Sequence, residues 1–144
     1  MDKKYFTLEE ANGLLPVIKR ELAGLKRLKA QFSEHYDQIE QHKKTLLYRH
    51  KTKVDEDILF KKEARMEFME LEAQTFINNI MALGVEIKNV DEGLIDFPAV
   101  INGKKVLLCW KEGENEVAFY HSDLGGFSQR EPIDNIMKEE EEKG

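Results

Sequence analysis

The stretch LIDFPAVINGKKVLLCW (Leu94–Trp110) decides the fold class. Two apolar runs flank Asn102-Gly103, a pair that readily takes the positive φ angles a two-residue type I′ turn requires. With that turn, Ile101 opposes Lys104, Phe97 opposes Leu108, Asp96 opposes Cys109 and Ile95 opposes Trp110. Directly opposed residues share a face. One face therefore carries Ile95, Phe97, Ala99, Val106, Leu108 and Trp110, and is the predicted core face. The other carries Asp96, Pro98, Leu107 and Cys109. It is less apolar, yet not polar enough to be simply wet. Pro98 lacks an N–H and marks an edge strand or a bulge.

Downstream, Glu112-Gly113-Glu114-Asn115 predicts a second hairpin into EVAFYH (Glu116–His121). A four-residue loop would set Trp110 opposite Val117 and Leu108 opposite Phe119. Val117 and Phe119 then join the core face, with His121 at its rim. Upstream, Val85–Ile87 reads as a short strand. The expected sheet is antiparallel, with three or four strands.

Residues before Gly84 follow a helical period. Thr7-Leu8-Glu9-Glu10 is a capping box, so a helix begins at Leu8. Pro16, helped by Gly13, predicts a kink or break near Asn12–Leu15. Steps of four and three then give a heptad seam at Ala11, Leu15, Ile18, Leu22, Leu25, Phe32, Tyr36, Ile39 and Leu46, interrupted by Lys29, Lys43 and His50. A second seam runs Leu59, Lys62, Met66, Met69, Ala73, Phe76, Ile80, Leu83. Asp55 is the expected N-cap of that helix and Gly84 its left-handed C-terminal stop. Joined by Lys51–Val54 alone, the two helices must run antiparallel. So long a coiled-coil-like hairpin packed on a small sheet would leave seam to cover, which predicts a homodimer.

The reading is thus α+β: one domain over residues 1–133, with the helical hairpin in 1–84 and the sheet in 85–133, then an acidic, solvated tail at 134–144. Four segments, FTLEEANGLLP (Phe6–Pro16), ALGVEIKNVDEGLIDFPA (Ala82–Ala99), GKKVLLCWKEGENEVAFYH (Gly103–His121) and GGFSQREPI (Gly125–Ile133), resemble the small bacterial family called domain of unknown function 2203. The motifs GL-[IV]-DFPA, LCW-x-x-GE and AF-x-H are the specific ones. Members often carry Trp where this chain has Tyr120, a change that an aromatic slot tolerates. The resemblance implies this architecture and a cytosolic bacterial setting. It implies no activity.

Composition narrows the function classes. A single cysteine excludes an internal disulfide framework and points to a reducing, cytoplasmic compartment. No apolar run spans a bilayer, and the polar N-terminus is no signal peptide. The net charge of −6 argues against nucleic acid as a general partner. It is uneven, however: residues 1–54 hold 12 Lys and Arg against 7 Asp and Glu. At the hairpin tip Lys43, Lys44, Arg49, Lys51 and Lys53 would meet any anionic partner. His35 and His42, two turns apart, are too distant to share a metal and read as surface residues.

The polar groups of the sheet segment are the ligand-site candidates: Asp96, His121, Asp123 and Arg130, with Cys109 and Glu114 near them in sequence. His121 and Asp123, as His-x-Asp, are weak metal candidates with Asp96 or Glu114. Cys109, mid-strand, reads as a buried inert thiol. An Asp96–Arg130 ion pair pinning the loop to the sheet is the plainest reading. No catalytic residue is assigned and no cofactor is expected, so the sequence leans away from an enzyme. Its leading reading is a cytosolic interaction or scaffold protein that self-associates through the hairpin. One alternative is a small-molecule or metal-binding protein with its site near Asp96 and His121. The other is an RNA- or ribosome-associated protein using the basic tip.

Overall fold

A computed structural model describes residues 4–136. Two long helices, α1 (Leu8–Thr45) and α2 (Lys53–Met81), precede a five-stranded antiparallel sheet. Its strands are β1 (Glu86–Asn89), β2 (Leu94–Ile101), β3 (Lys104–Lys111), β4 (Phe119–Ser122) and β5 (Glu131–Pro132), side by side in that order. The architecture is α+β. Three or four strands were expected, and there are five, because β5 has only two residues and no alternation to announce it. The described residues form two compact units, one from residues 4–22 and 79–136, the other from Ala23–Asn78.

In the first unit, the capping box closes both ways: the Thr7 N–H donates to Glu10 Oε1 and the Glu10 N–H to Thr7 Oγ1, each at 3.1 Å. The expected break at Pro16 does not interrupt α1, which runs through it. Pro16 withholds only the one N–H that would have reached Asn12. Ala11, Leu15, Ile18 and Leu22 of α1, with Ile80 of α2, bury themselves among Ile95, Phe97, Ala99, Leu108 and Trp110. Phe6 stands edge-on to Phe97, ring centres 5.6 Å apart, and its N–H donates to the Pro98 carbonyl. Burial of each of the Leu, Ile and Phe side chains contributes roughly 1.5–3 kcal/mol. The expected tail begins inside this core, for Ile133 and Ile136 are both buried in it; residues 137–144 lie outside the described ones.

The β2–β3 register is the one the Asn102-Gly103 turn dictates, with φ of 54° and 74° at the two residues. The β3–β4 register differs by one residue: Leu108 pairs with Tyr120, not Phe119, and Leu107 pairs with His121. The cause is visible in the loop. Residues 112–118 stay off the ladder, because the Val117 N–H donates to Asn12 Oδ1 at 2.7 Å and the Ala118 carbonyl accepts from Ile133. A one-residue change of register exchanges the faces. Tyr120 now packs against the core, and Phe119 and His121 turn to the second face, with Asp96 and Cys109.

The second unit is the antiparallel helical hairpin. On α2 the seam follows the expected positions, with Leu59 and Met69 buried and Lys62, Met66, Ala73 and Phe76 half-buried. On α1 the expected Phe32, Ile39 and Leu46 hold after Leu25, but the alternate positions shift by one residue. Leu28, Phe32, His35, Ile39, His42 and Leu46 face inward, and Lys29, Tyr36, Lys43 and His50 do not. Gly24 explains the change of phase: a Cβ there would meet the Phe76 ring at 2.5 Å, so the helices approach closely and the next contact falls three residues on.

The tip corrects three expectations. The connection is residues 46–52; Thr52, not Asp55, is the N-cap, and Asp55 sits at the third helical position of a second capping box. His42 is no surface residue: its Nε2 lies 2.8 Å from Asp55 Oδ1. Arg49 grips both Asp55 oxygens at 2.7 and 2.8 Å.

Candidate functional site on the second face of the sheet

Asp96 on β2, Cys109 on β3 and His121 on β4 project from three neighbouring strands onto one spot. They are 2%, 1% and 4% exposed. His121 Nε2 lies 2.9 Å from Asp96 Oδ2, and the donor atoms of all three residues fall within 4.8 Å of one another. They form the floor of a cavity of about 190 Å³, walled by Leu94, Gly125, Gly126 and Phe127, with Lys88 beside it.

The protonation of the ring follows from geometry. His121 Nδ1 is 2.8 Å from the Ser122 carbonyl oxygen, which can only accept, so Nδ1 carries a hydrogen. Nε2 therefore presents to Asp96 either a lone pair or an imidazolium proton. One proton must lie between them, since two lone pairs at 2.9 Å would repel. Burial pushes the Asp96 carboxyl up from its ordinary value, against the pull of His121 and a hydrogen bond from the Cys109 thiol. Burial, then the Asp96 charge, pushes that thiol up to about 12, with Arg130 opposing. A thiol so protonated is no nucleophile at neutral pH.

The loop after β4 closes the site. Arg130 stacks on Phe119 and Phe127, 4.1 and 4.2 Å from the ring centres. Its guanidinium forms a bidentate pair with Glu114 at 2.8 and 3.0 Å. Glu114 is held in turn by the Lys111 N–H at 2.7 Å. The expected Asp96–Arg130 pair is thus replaced by two others, Asp96–His121 and Glu114–Arg130. Arg130 lies behind the wall, stacked on Phe127, and Asp123 is exposed and stands apart from the cluster. Of the four candidates, two form the floor, one braces the loop and one lies outside the cluster. Cys109 and Lys88 complete the set. The opposition of Asp96 and Cys109 was already implied by the Asn102-Gly103 turn; no sequence signal marks Lys88.

The basic tip offers an anionic partner less than its composition suggested. Besides the Arg49–Asp55 grip, Lys43 pairs with Glu63 at 3.6 Å and Lys53 with Asp57 at 3.9 Å. Lys44 and Lys51 are exposed.

Residues 4–133 match the model of a family described as an uncharacterized conserved protein, DUF2203. The chain belongs to that family. The matched span takes in the cluster, its wall and the bracing Arg130. No curated protein and no solved structure matches the chain. Among the described residues, no helix is long and apolar enough to cross a membrane.

Proposed function

We propose that this is a ligand-binding protein whose site is the cavity over Asp96, Cys109 and His121. One observation carries the reading: three chemically different polar side chains, all nearly inaccessible, converge on the floor of one cavity instead of being spread over the sheet. Burying them costs stability, which a purely structural face would avoid with apolar residues. The lone buried cysteine suits a reducing, cytoplasmic setting. Differential scanning fluorimetry against a panel of metal ions, carboxylates and phosphates tests the reading. A binder at 100 times its Kd should stabilise the fold by about 2.7 kcal/mol, and Asp96→Asn should abolish the shift. No shift with any member, or an equal shift in the variant, sinks it.

Self-association is the second reading, and its surface is not the one the heptads suggested. The seams of the hairpin face each other, so Leu25 and Phe76 serve its own packing. On the outer side of α2, Phe60, Ala64, Phe68 and Leu71 are exposed at helical spacing along one stripe. Light scattering should give a dimer mass for the native chain and a monomer for Phe68→Glu. A monomeric native chain ends this reading.

A further inference from the structure

We propose that Asp96 Oδ2, Cys109 Sγ and His121 Nε2 are a three-donor site for a divalent transition-metal ion of the zinc class, with a fourth position open to the cavity. The inference rests on the ligand-site reading above and names its ligand.

The donor set comes first. One carboxylate, one sulfur and one imidazole suit a borderline cation, whereas calcium and magnesium require about six oxygens. Among the described residues, these three are the only His, Cys, Asp and Glu side chains to gather in this way. Spacing is the second argument. A tetrahedral ion about 2.0–2.3 Å from each donor sets the donors roughly 3.3–3.6 Å apart. The Asp96–His121 separation of 2.9 Å is a little short of that, and the widest separation, within 4.8 Å, is somewhat long. Binding the ion would call for small side-chain rotations to correct both differences.

Orientation is the third. Metal-bound histidines usually donate the other ring N–H to a carbonyl or carboxylate, which aims the free nitrogen. His121 does this already, through Ser122, and Nε2 points at the other donors. Charge is the fourth. The ion would replace the proton between Asp96 and His121 and the thiol proton, so two protons leave as one dication enters. The site then holds a carboxylate, a thiolate and a dication, and sums to zero. Lys88 at the rim pairs with Glu86 at 3.3 Å; its ammonium opposes a bare cation but suits an anionic fourth ligand. The cavity of about 190 Å³ leaves room for such a ligand.

The test uses the full, untagged chain after chelator treatment, titrated with Zn²⁺ by calorimetry and with Co²⁺ by absorption spectroscopy. One ion per chain is expected, with a thiolate-to-cobalt charge-transfer band in the near ultraviolet and the intense visible bands of tetrahedral cobalt. Cys109→Ser, close to isosteric, should keep the fold by circular dichroism and lose the charge-transfer band. His121→Ala should weaken binding at least about 10-fold, and His42→Ala should not change it. Absence of stoichiometric binding, a charge-transfer band that survives Cys109→Ser, or the weak spectrum of octahedral cobalt overturns the proposal. If zinc and cobalt fail while another compound still gives an Asp96-dependent thermal shift, the metal inference falls and the ligand cavity stands. If neither binds, both fall.

Discussion

The Asn12 side-chain oxygen accepts the backbone N–H of Val117 at 2.7 Å, across 105 positions of sequence. That bond holds the β3–β4 loop off the ladder, and the resulting register carries His121 to the face occupied by Asp96 and Cys109. Asn12→Ala should therefore cost about 1–3 kcal/mol in urea denaturation, the penalty of a buried donor left unpaired. Asn12→Asp, which keeps the acceptor, should recover most of it. Equal losses in the two variants would show that the bond does not matter.

Asp96 and His121 should behave as a hydrogen-bonded pair. Asp96→Asn retains a donor for the imidazole, so its fold should be nearly as stable as the native one. Asp96→Ala strands the His121 nitrogen and should cost about 1–3 kcal/mol. Chemical denaturation of the two variants side by side measures the difference.

Cys109 should resist a maleimide reagent in the native state at pH 7–9, reacting only as fast as the protein opens. Its folded pKa, about 12, exceeds the ordinary 9.0. A group whose pKa is raised on folding contributes its full stability below the ordinary value and loses it as pH rises towards the folded one. Denaturation midpoints should fall between pH 9 and pH 12, and Cys109→Ala should flatten that limb. Rapid stoichiometric labelling at pH 8 would contradict this.

Asp55 gives the opposite sign. Arg49 first, then the Thr52 N–H and His42, hold its carboxyl well below the usual carboxylate range. A depressed pKa contributes stability above the ordinary value, near pH 4, and that stability is lost as pH falls. Far-UV circular dichroism should show the native hairpin weakening below about pH 4, with a flatter acid limb in Asp55→Asn. Thr52→Ala, which removes the N-cap, should cost about 1 kcal/mol.

What was legible in the sequence were the features set by local rules. Thr7 and Glu10 specify a helix start, Gly84 a stop and Asn102-Gly103 a register, and each holds regardless of distant context. Asp96 opposite Cys109 followed from that turn alone. The position of His121 did not, because it depends on where Val117 places its N–H, and Asn12 shows no local sign of being the acceptor. The α1 seam failed for a related reason: only the close approach at Gly24, opposite Phe76, selects Leu28 over Lys29. The ion pairs failed because Asp96, Glu114 and Asp123 all stand as partners for His121 and Arg130, and spacing cannot assign them.

The β2–β3 hairpin has a consequence for the order of assembly. Its two-residue turn makes a contact of short sequence separation, the kind that forms early, whereas closing a chain of more than a hundred residues is slow. Asp96 and Cys109 should therefore meet before His121 arrives, and His121 waits on the Asn12–Val117 closure. During synthesis Asn12 emerges more than a hundred residues ahead of its partner. The trio is complete only when these two distant segments have found each other, so an occupied site would report a finished fold.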